Sequence, residues 1–215
     1  MSVFHKPIVM LDFETTGISP DAGDRVTEVA ALRIVDGQIV ERYVSLVNCN
    51  IRVPFFITQL TGISQAMVNG APSASVVVPE LLRFIGEDAL AAHNAGFDIR
   101  FLLAESRRLG MLPSHSRLIC SLKLSRRIFP GLASYKLGNL ASGLGIRFKS
   151  AAHRAEADAE VSANLLLHIG RHLGSTYGFR TIDPQLLESV NKLSAAKVAA
   201  YLEKQMISES VSPAY

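Results

Sequence analysis

The chain opens with an apolar, strand-forming run, Pro7-Ile8-Val9-Met10-Leu11, and two further runs, Thr27 to Val35 and Gln38 to Val47, flank Asp36-Gly37. Asp-Gly between such runs is a strong hairpin signal, because both turn positions favour positive φ. Three strands are therefore expected at the start. Ser73 to Ile85 has a Ser/Pro-rich entrance and stops at Gly86, which predicts a helix despite Val76-Val77-Val78, with Pro79 marking a late start or a kink. Ala89 to Ala92 reads as a short buried strand, followed by a helix from about Phe97 to Leu109 closed by Gly110. Helices are expected again over Ser121 to Ile128, Lys136 to Gly143 and Glu156 to Leu173, the last carrying Val161, Leu165, Leu166 and Ile169 at helical spacing. Strand alternating with helix defines an α/β chain.

Beyond Tyr177-Gly178, Asp183-Pro184 opens a helical pattern running through Leu193-Ser194 to about Ile207, and Ser208 to Tyr215 is expected to fray. Val198, Tyr201, Leu202 and Gln205 fall at i, i+3, i+4 and i+7 there, a stripe that must pack somewhere. No repeat or low-complexity linker divides the chain. The expected organisation is one domain over 1–175 and a helical appendage over 176–215.

Composition narrows the class. With 215 residues, 48% hydrophobic and 19% charged, the chain is too apolar for disorder. No apolar run approaches the roughly 18 residues of a membrane span, and Met1 to Lys6 lacks the apolar stretch of a signal peptide, so a cytoplasmic protein with no membrane partner is expected. Cys49 and Cys120 alone make neither a disulfide framework nor a zinc site and read as free thiols. Charge is unevenly placed. Ser106 to Ala155 contains no Asp or Glu, while Arg107, Arg108, Arg117, Lys123, Arg126, Arg127, Lys136, Arg147, Lys149 and Arg154 give it +10, leaving −7 for the rest of a chain whose net charge is +3. Such a one-signed stretch suits a polyanion, although a solvated basic face is the plainer alternative.

Three acidic clusters carry candidate chemistry. Asp12 and Glu14 end the first strand two residues apart, so the strand period sends both side chains to one face, where two anions need a cation. Thr15-Thr16-Gly17 follows with hydroxyls, backbone N–H groups and a glycine that permits close approach. His93-Asn94-Ala95-Gly96-Phe97-Asp98 joins the buried strand to the next helix and places Asp98 near the strand's C-terminal end, where open α/β sheets bind ligands, or as an N-cap. His153 and Asp158 cannot share a helical face, since five residues turn by about 500°. His153 is therefore expected to precede the helix, and Asp158 to lie in its first turns on the buried side.

These three clusters, in this order and spacing, resemble the exonuclease motifs of the DEDDh 3′→5′ exonuclease superfamily, and within it the DnaQ-like proofreading exonucleases of the DNA polymerase III epsilon type. The likeness covers about Pro7 to Leu173, and Gln59-Leu60-Thr61-Gly62-Ile63 and Tyr135-Lys136-Leu137-Gly138-Asn139-Leu140 sit where that family has a substrate loop and a helix start. The resemblance implies a ribonuclease-H-like mixed sheet flanked by helices, its first three strands antiparallel. It implies two divalent cations, Mg2+ or Mn2+, with Asp12 bridging both, Glu14 and Asp158 completing one site and Asp98 supporting the other. His153 would be the general base, a task suited to an imidazole. The backbone of Thr15, Thr16 and Gly17 would meet the terminal 3′-hydroxyl, and Leu60 and Phe97 would pack against terminal bases. The family often has a histidine where this chain has Thr61, which leaves substrate preference open. The expected activity is release of nucleoside monophosphates from single-stranded or frayed DNA 3′ ends in proofreading or repair. A 3′→5′ exoribonuclease and a catalytically silent nucleic-acid-binding module are the alternatives. A polymerase subunit, or a second protomer held through the C-terminal helices, is the expected protein partner.

Overall fold

The computed structural model describes residues 4–146 and 153–211, with side chains to Ser208. Arg147 and Lys149 of the basic stretch, and the last four residues of the expected frayed end, lie outside the described residues. The strands are β1 (Ile8–Thr15), β2 (Val26–Val35), β3 (Gln38–Leu46), β4 (Ala89–Ala92) and β5 (Leu118–Cys120). They form one sheet in the order β3-β2-β1-β4-β5. β1, β2 and β3 pair antiparallel, with Asp36 and Gly37 at positive φ in the turn, whereas β4 pairs parallel with β1 and with β5. The expected mixed sheet and antiparallel opening are therefore observed.

Helices cover both faces: α1 (Phe55–Thr61), α2 (Gln65–Asn69), α3 (Ala74–Ile85), α4 (Ala95–Arg108), α5 (Ser121–Ile128), α6 (Leu137–Gly143), α7 (Ala155–Tyr177), α8 (Pro184–Lys192) and α9 (Ala195–Val211). The period of β1 divides the core. Val9, Leu11 and Phe13 pack with Val77, Leu81, Phe101 and Leu102 of α3 and α4. Ile8 and Met10 point the other way, into a larger cluster with Leu165, Ile169 and the small residues Ala155, Ala159 and Ala163 of α7. Alanines at i, i+4 and i+8 let α7 lie close on the sheet.

Several elements depart from the sequence pattern. Pro79 sits inside α3 without ending it. Burial of Val77, Val78, Leu81 and Ile85 outweighs both the missing N–H and the β-branched run. The C-terminal pattern is two helices, broken at Leu193-Ser194, and α9 continues past Ile207 to Val211. Its stripe is occupied within the chain, since Val198 and Leu202 are buried in the α7 cluster with Leu187 and Val190 of α8. No described helix is long and apolar enough to cross a membrane, and Cys49 and Cys120 are buried free thiols.

Candidate active site

Asp12 and Glu14 continue the face of Ile8 and Met10, so β1 delivers both carboxylates toward α7. Asp158, one turn into α7, meets them there. One carboxylate oxygen from each of Asp12, Glu14 and Asp158 lies within 4.8 Å of the others. Asp98 arrives differently. The helix begins at Ala95, two residues before the expected start, with Asn94 at positive φ as its N-cap, so Asp98 is neither a cap nor a strand-end residue but lies inside α4. It stands outside that trio, buried, accepting the Phe13 N–H and close enough for its charge to act on Asp12.

His153 precedes α7 at φ 62°, and its backbone N–H donates to Asp158 Oδ2 at 3.0 Å. The main chain at His153 is thus fixed at the Asp158 carboxylate, while the histidine side chain is exposed.

Burial raises all four carboxyls, and for three of them neighbouring acids add to the rise. Burial first, then Asp98, Asp158, Glu14 and Glu28, push the Asp12 carboxyl well above the usual range. Burial, aided by Asp158 and Glu28 and opposed by Arg154, pushes Glu14 up to about 7. Asp98 rises to about 8, chiefly through burial, although backbone N–H groups of Asp98 and Phe13 oppose the rise. Asp158 is also raised by burial, against the His153 N–H. Four acids that resist ionisation beside one another fit a divalent cation, and an all-oxygen donor set suits Mg2+ or Mn2+ better than zinc.

The residues after Glu14 form a loop closed by their own side chains. The Thr15 hydroxyl donates to Gly17 O at 2.5 Å, and the Thr16 hydroxyl to Asp24 Oδ1 at 3.2 Å. Both threonines are buried, and their hydroxyls close the loop. A Cβ at Gly17 would displace the Asp24 carboxylate from its bonds to the Thr16 hydroxyl and the Ser19 N–H. Leu60 is 51% exposed, and Phe97 is half-buried against Phe101 with ring centroids 4.9 Å apart. The Thr61 hydroxyl donates to Ile57 O at 2.9 Å, so this residue terminates α1 from a buried position.

Sequence reasoning missed Glu28. It stands directly across from Glu14 on β2, is 2% exposed, and grips the Arg154 guanidinium at 2.5 and 3.1 Å while accepting the Ala155 N–H at 2.9 Å. An acid in an apolar strand was the available signal, but its partner is 126 residues away. Phe55 and Phe56, exposed on α1 with Leu60, were also overlooked because they lie on the outer face of a seven-residue helix.

A mixed sheet with acids gathered at the end of its central strand defines a ribonuclease-H-like nuclease fold. A model of the RNase T exonuclease family matches residues 9–166, and the chain belongs to that family, within the DEDDh, DnaQ-like superfamily. It is 38% identical over 161 residues to the 3′-5′ exonuclease DinG of Bacillus subtilis, a match covering 75% of this chain and 17% of that protein. It is 34% identical over 170 residues to the DNA polymerase III subunit epsilon of Aquifex aeolicus, covering 79% of this chain and 83% of that one. The first of these relatives is thus much longer than the part the chain spans. Exonuclease X in complex with 5′ overhanging duplex DNA superposes with a TM-score of 0.66 at 26% identity, over 86% of this chain and 99% of that one. The nuclease domain of 3′hExo bound to rAMP shares the fold, with a TM-score of 0.69 at 18% identity, over 80% of this chain and 94% of that one.

Proposed function

We propose that this chain is a metal-dependent 3′→5′ exonuclease that releases nucleoside monophosphates from DNA 3′ ends, single-stranded or frayed, in proofreading or repair. The observation that carries this reading is the convergence of Asp12, Glu14 and Asp158 within 4.8 Å, with His153 fastened to Asp158, in a member of the exonuclease family. Two divalent cations held by Asp12, Glu14, Asp98 and Asp158 would neutralise charge on the attacking and leaving oxygens of an in-line displacement. His153 accepts the proton of the attacking water, its backbone fixed at Asp158. The backbone of Thr15 to Gly17 receives the terminal nucleotide, and Leu60 and Phe97 pack against terminal bases with little sequence preference. The basic stretch from Ser106 to Ala155 attracts the strand backbone.

DNA is favoured over RNA by the likeness to the Aquifex polymerase subunit, which the chain covers over most of its length. The same relative supports a polymerase partner, and the buried free thiols are in keeping with the cytoplasm. The end of the family match at residue 166 supports reading 1–175 as the nuclease domain and 176–215 as a helical appendage packed into its α7 core. The test is incubation with 3′- and 5′-labelled single-stranded DNA, duplex DNA, mismatched primer and RNA, in Mg2+ and in Mn2+. Stepwise loss of 3′ label from DNA is expected, abolished by Asp12→Ala; faster loss from RNA would move the assignment to an exoribonuclease, and binding without cleavage would leave a silent module.

A further inference from the structure

Of the ten cations of the acid-free stretch, the eight among the described residues fall into distinct groups. Arg108 pairs with Glu105, Arg117 with Glu188 and Arg154 with Glu28, while Arg127 donates to the carbonyls of Leu193 and Lys123. Among the described residues no acidic partner meets Arg107, Lys123, Arg126 or Lys136. Two of these four, Arg126 and Lys136, line a single cavity of about 510 Å3 with His93, Ser134 and Tyr135.

The cavity lies where a bound strand would pass. β1, β4 and β5 run parallel, so their C-terminal ends share one edge of the sheet. His93 directly follows β4, and α5, which carries Arg126, directly follows β5. The register pairing Met10 with Ala91 extends to place His93 level with Asp12. With neighbouring strands about 4.8 Å apart, the start of α5 stands about 10 Å across from the carboxylates.

The walls are held in place. His93 Nε2 lies 3.2 Å from the Tyr135 carbonyl, which can only accept, so Nε2 carries the proton and Nδ1 accepts from the Ser121 hydroxyl at 2.9 Å. This ring is a brace joining the end of β4, the first turn of α5 and the segment before α6. The Arg126 guanidinium sits 5.7 Å from the centroid of the Tyr135 ring, an orientation that leaves its charge unneutralised. A planar fork and an ammonium around one cavity suit a phosphate oxygen pair.

Resting on the nuclease reading, we propose that this cavity is a phosphate subsite, in which Arg126 and Lys136 hold a phosphodiester of the substrate strand on the 5′ side of the scissile linkage. A 3′ end in the carboxylate cluster leaves only the 5′ side of the strand to be held elsewhere. Because the carboxylates repel bare phosphate, a flanking pair of cations would anchor the strand in register while each terminal nucleotide is removed.

The test is a coupling experiment on the full chain. Fluorescein-labelled single-stranded DNA oligonucleotides, each with one phosphodiester replaced by an uncharged methylphosphonate at successive positions from the 3′ end, are titrated in EDTA against wild type, Arg126→Ala, Arg126→Lys and Lys136→Ala. Neutralising one or two adjacent linkages near the 3′ end should weaken wild-type binding several-fold and have little effect on either alanine variant, with Arg126→Lys partly restoring the effect. The slope of log affinity against log salt should fall by about 0.7 for each phosphate that is no longer neutralised, and should not change in Lys204→Ala on the exposed side of α9. Equal sensitivity at every linkage, or sensitivity unchanged in both alanine variants, would overturn the subsite. Cleavage of the unmodified oligonucleotide in Mg2+ or Mn2+ reads the nuclease assignment separately. Coupling without cleavage overturns that assignment and keeps the subsite; cleavage without coupling overturns the subsite alone.

Discussion

Glu14 on β1 and Glu28 on β2 stand directly opposite each other, two acids on one face of the sheet. Like charges so placed repel, and the structure eases the conflict by bonding Arg154 to Glu28, while Glu14 feels that charge only through space. Glu28 takes Arg154 and the Ala155 N–H, which ties the first turn of α7 to the sheet. Glu14 is left free to join Asp12 and Asp158.

Glu28 therefore acts as a positioning residue, holding the turn that carries His153 and Asp158. Glu28→Ala should lower cleavage at least tenfold, chiefly in kcat, and weaken Mn2+ binding measured by calorimetry. Arg154 is partly exposed, so water takes over much of its charge, and the stability loss should be about 1–3 kcal/mol. Unchanged Mn2+ affinity with reduced activity would contradict the positioning role.

The metal-free site should destabilise the fold at alkaline pH. Glu14 is raised to about 7 and Asp98 to about 8 from ordinary values near 4, so between these limits the folded chain holds protons that the unfolded chain has released. Stability from these groups is full below about pH 4 and lost as pH rises to 8. In EDTA the unfolding temperature should fall from pH 5.5 to pH 8.5, less steeply in Glu14→Gln and Asp98→Asn, and Mg2+ should restore it most at pH 8.5. Each kcal/mol of repulsion relieved corresponds to about 2–4 °C. A profile unaffected by these substitutions would place the strain elsewhere.

His153 occupies a left-handed backbone conformation, so the informative substitution is His153→Asn, which tolerates positive φ and removes the base. The bond to Asp158 comes from the backbone and should survive. Cleavage should fall about 10²–10⁴-fold, with single-strand binding close to wild type. Binding that falls in step with cleavage would make the ring a substrate contact.

Truncation after Gly174 should not yield a folded nuclease. Leu187, Val190, Val198 and Leu202 are buried in the α7 cluster, and at about 1.5–3 kcal/mol each they rival the 5–15 kcal/mol that holds a domain together. In addition the Asn191 side chain accepts the Cys120 N–H at 2.7 Å and donates to the Cys120 carbonyl at 3.1 Å, closing the edge strand β5. A soluble truncated protein with the full-length unfolding temperature would show that 176–215 is separable.

The sequence alone determined what depends on near neighbours. The Asp36-Gly37 hairpin, the period of β1 that puts Asp12 and Glu14 on one face, the bounds of α5 and the place of His153 ahead of α7 all follow from local periodicity and turn chemistry. Tertiary structure decided the rest, because the deciding partners are remote in sequence. β5, three residues long, shows no period and exists because β4 lies beside it. α4 starts at Ala95, two residues before its pattern suggests, which sets Asp98 inside the first turn and away from a capping position. The hydroxyls of Thr15 and Thr16 turn inward to Gly17 and Asp24, and Glu28 gains its role only when the fold brings Arg154 to it. Of ten cations that look alike along the chain, which ones stay unpaired depends on which acids the fold places beside them, and charge neutralisation acts through space, not along the sequence.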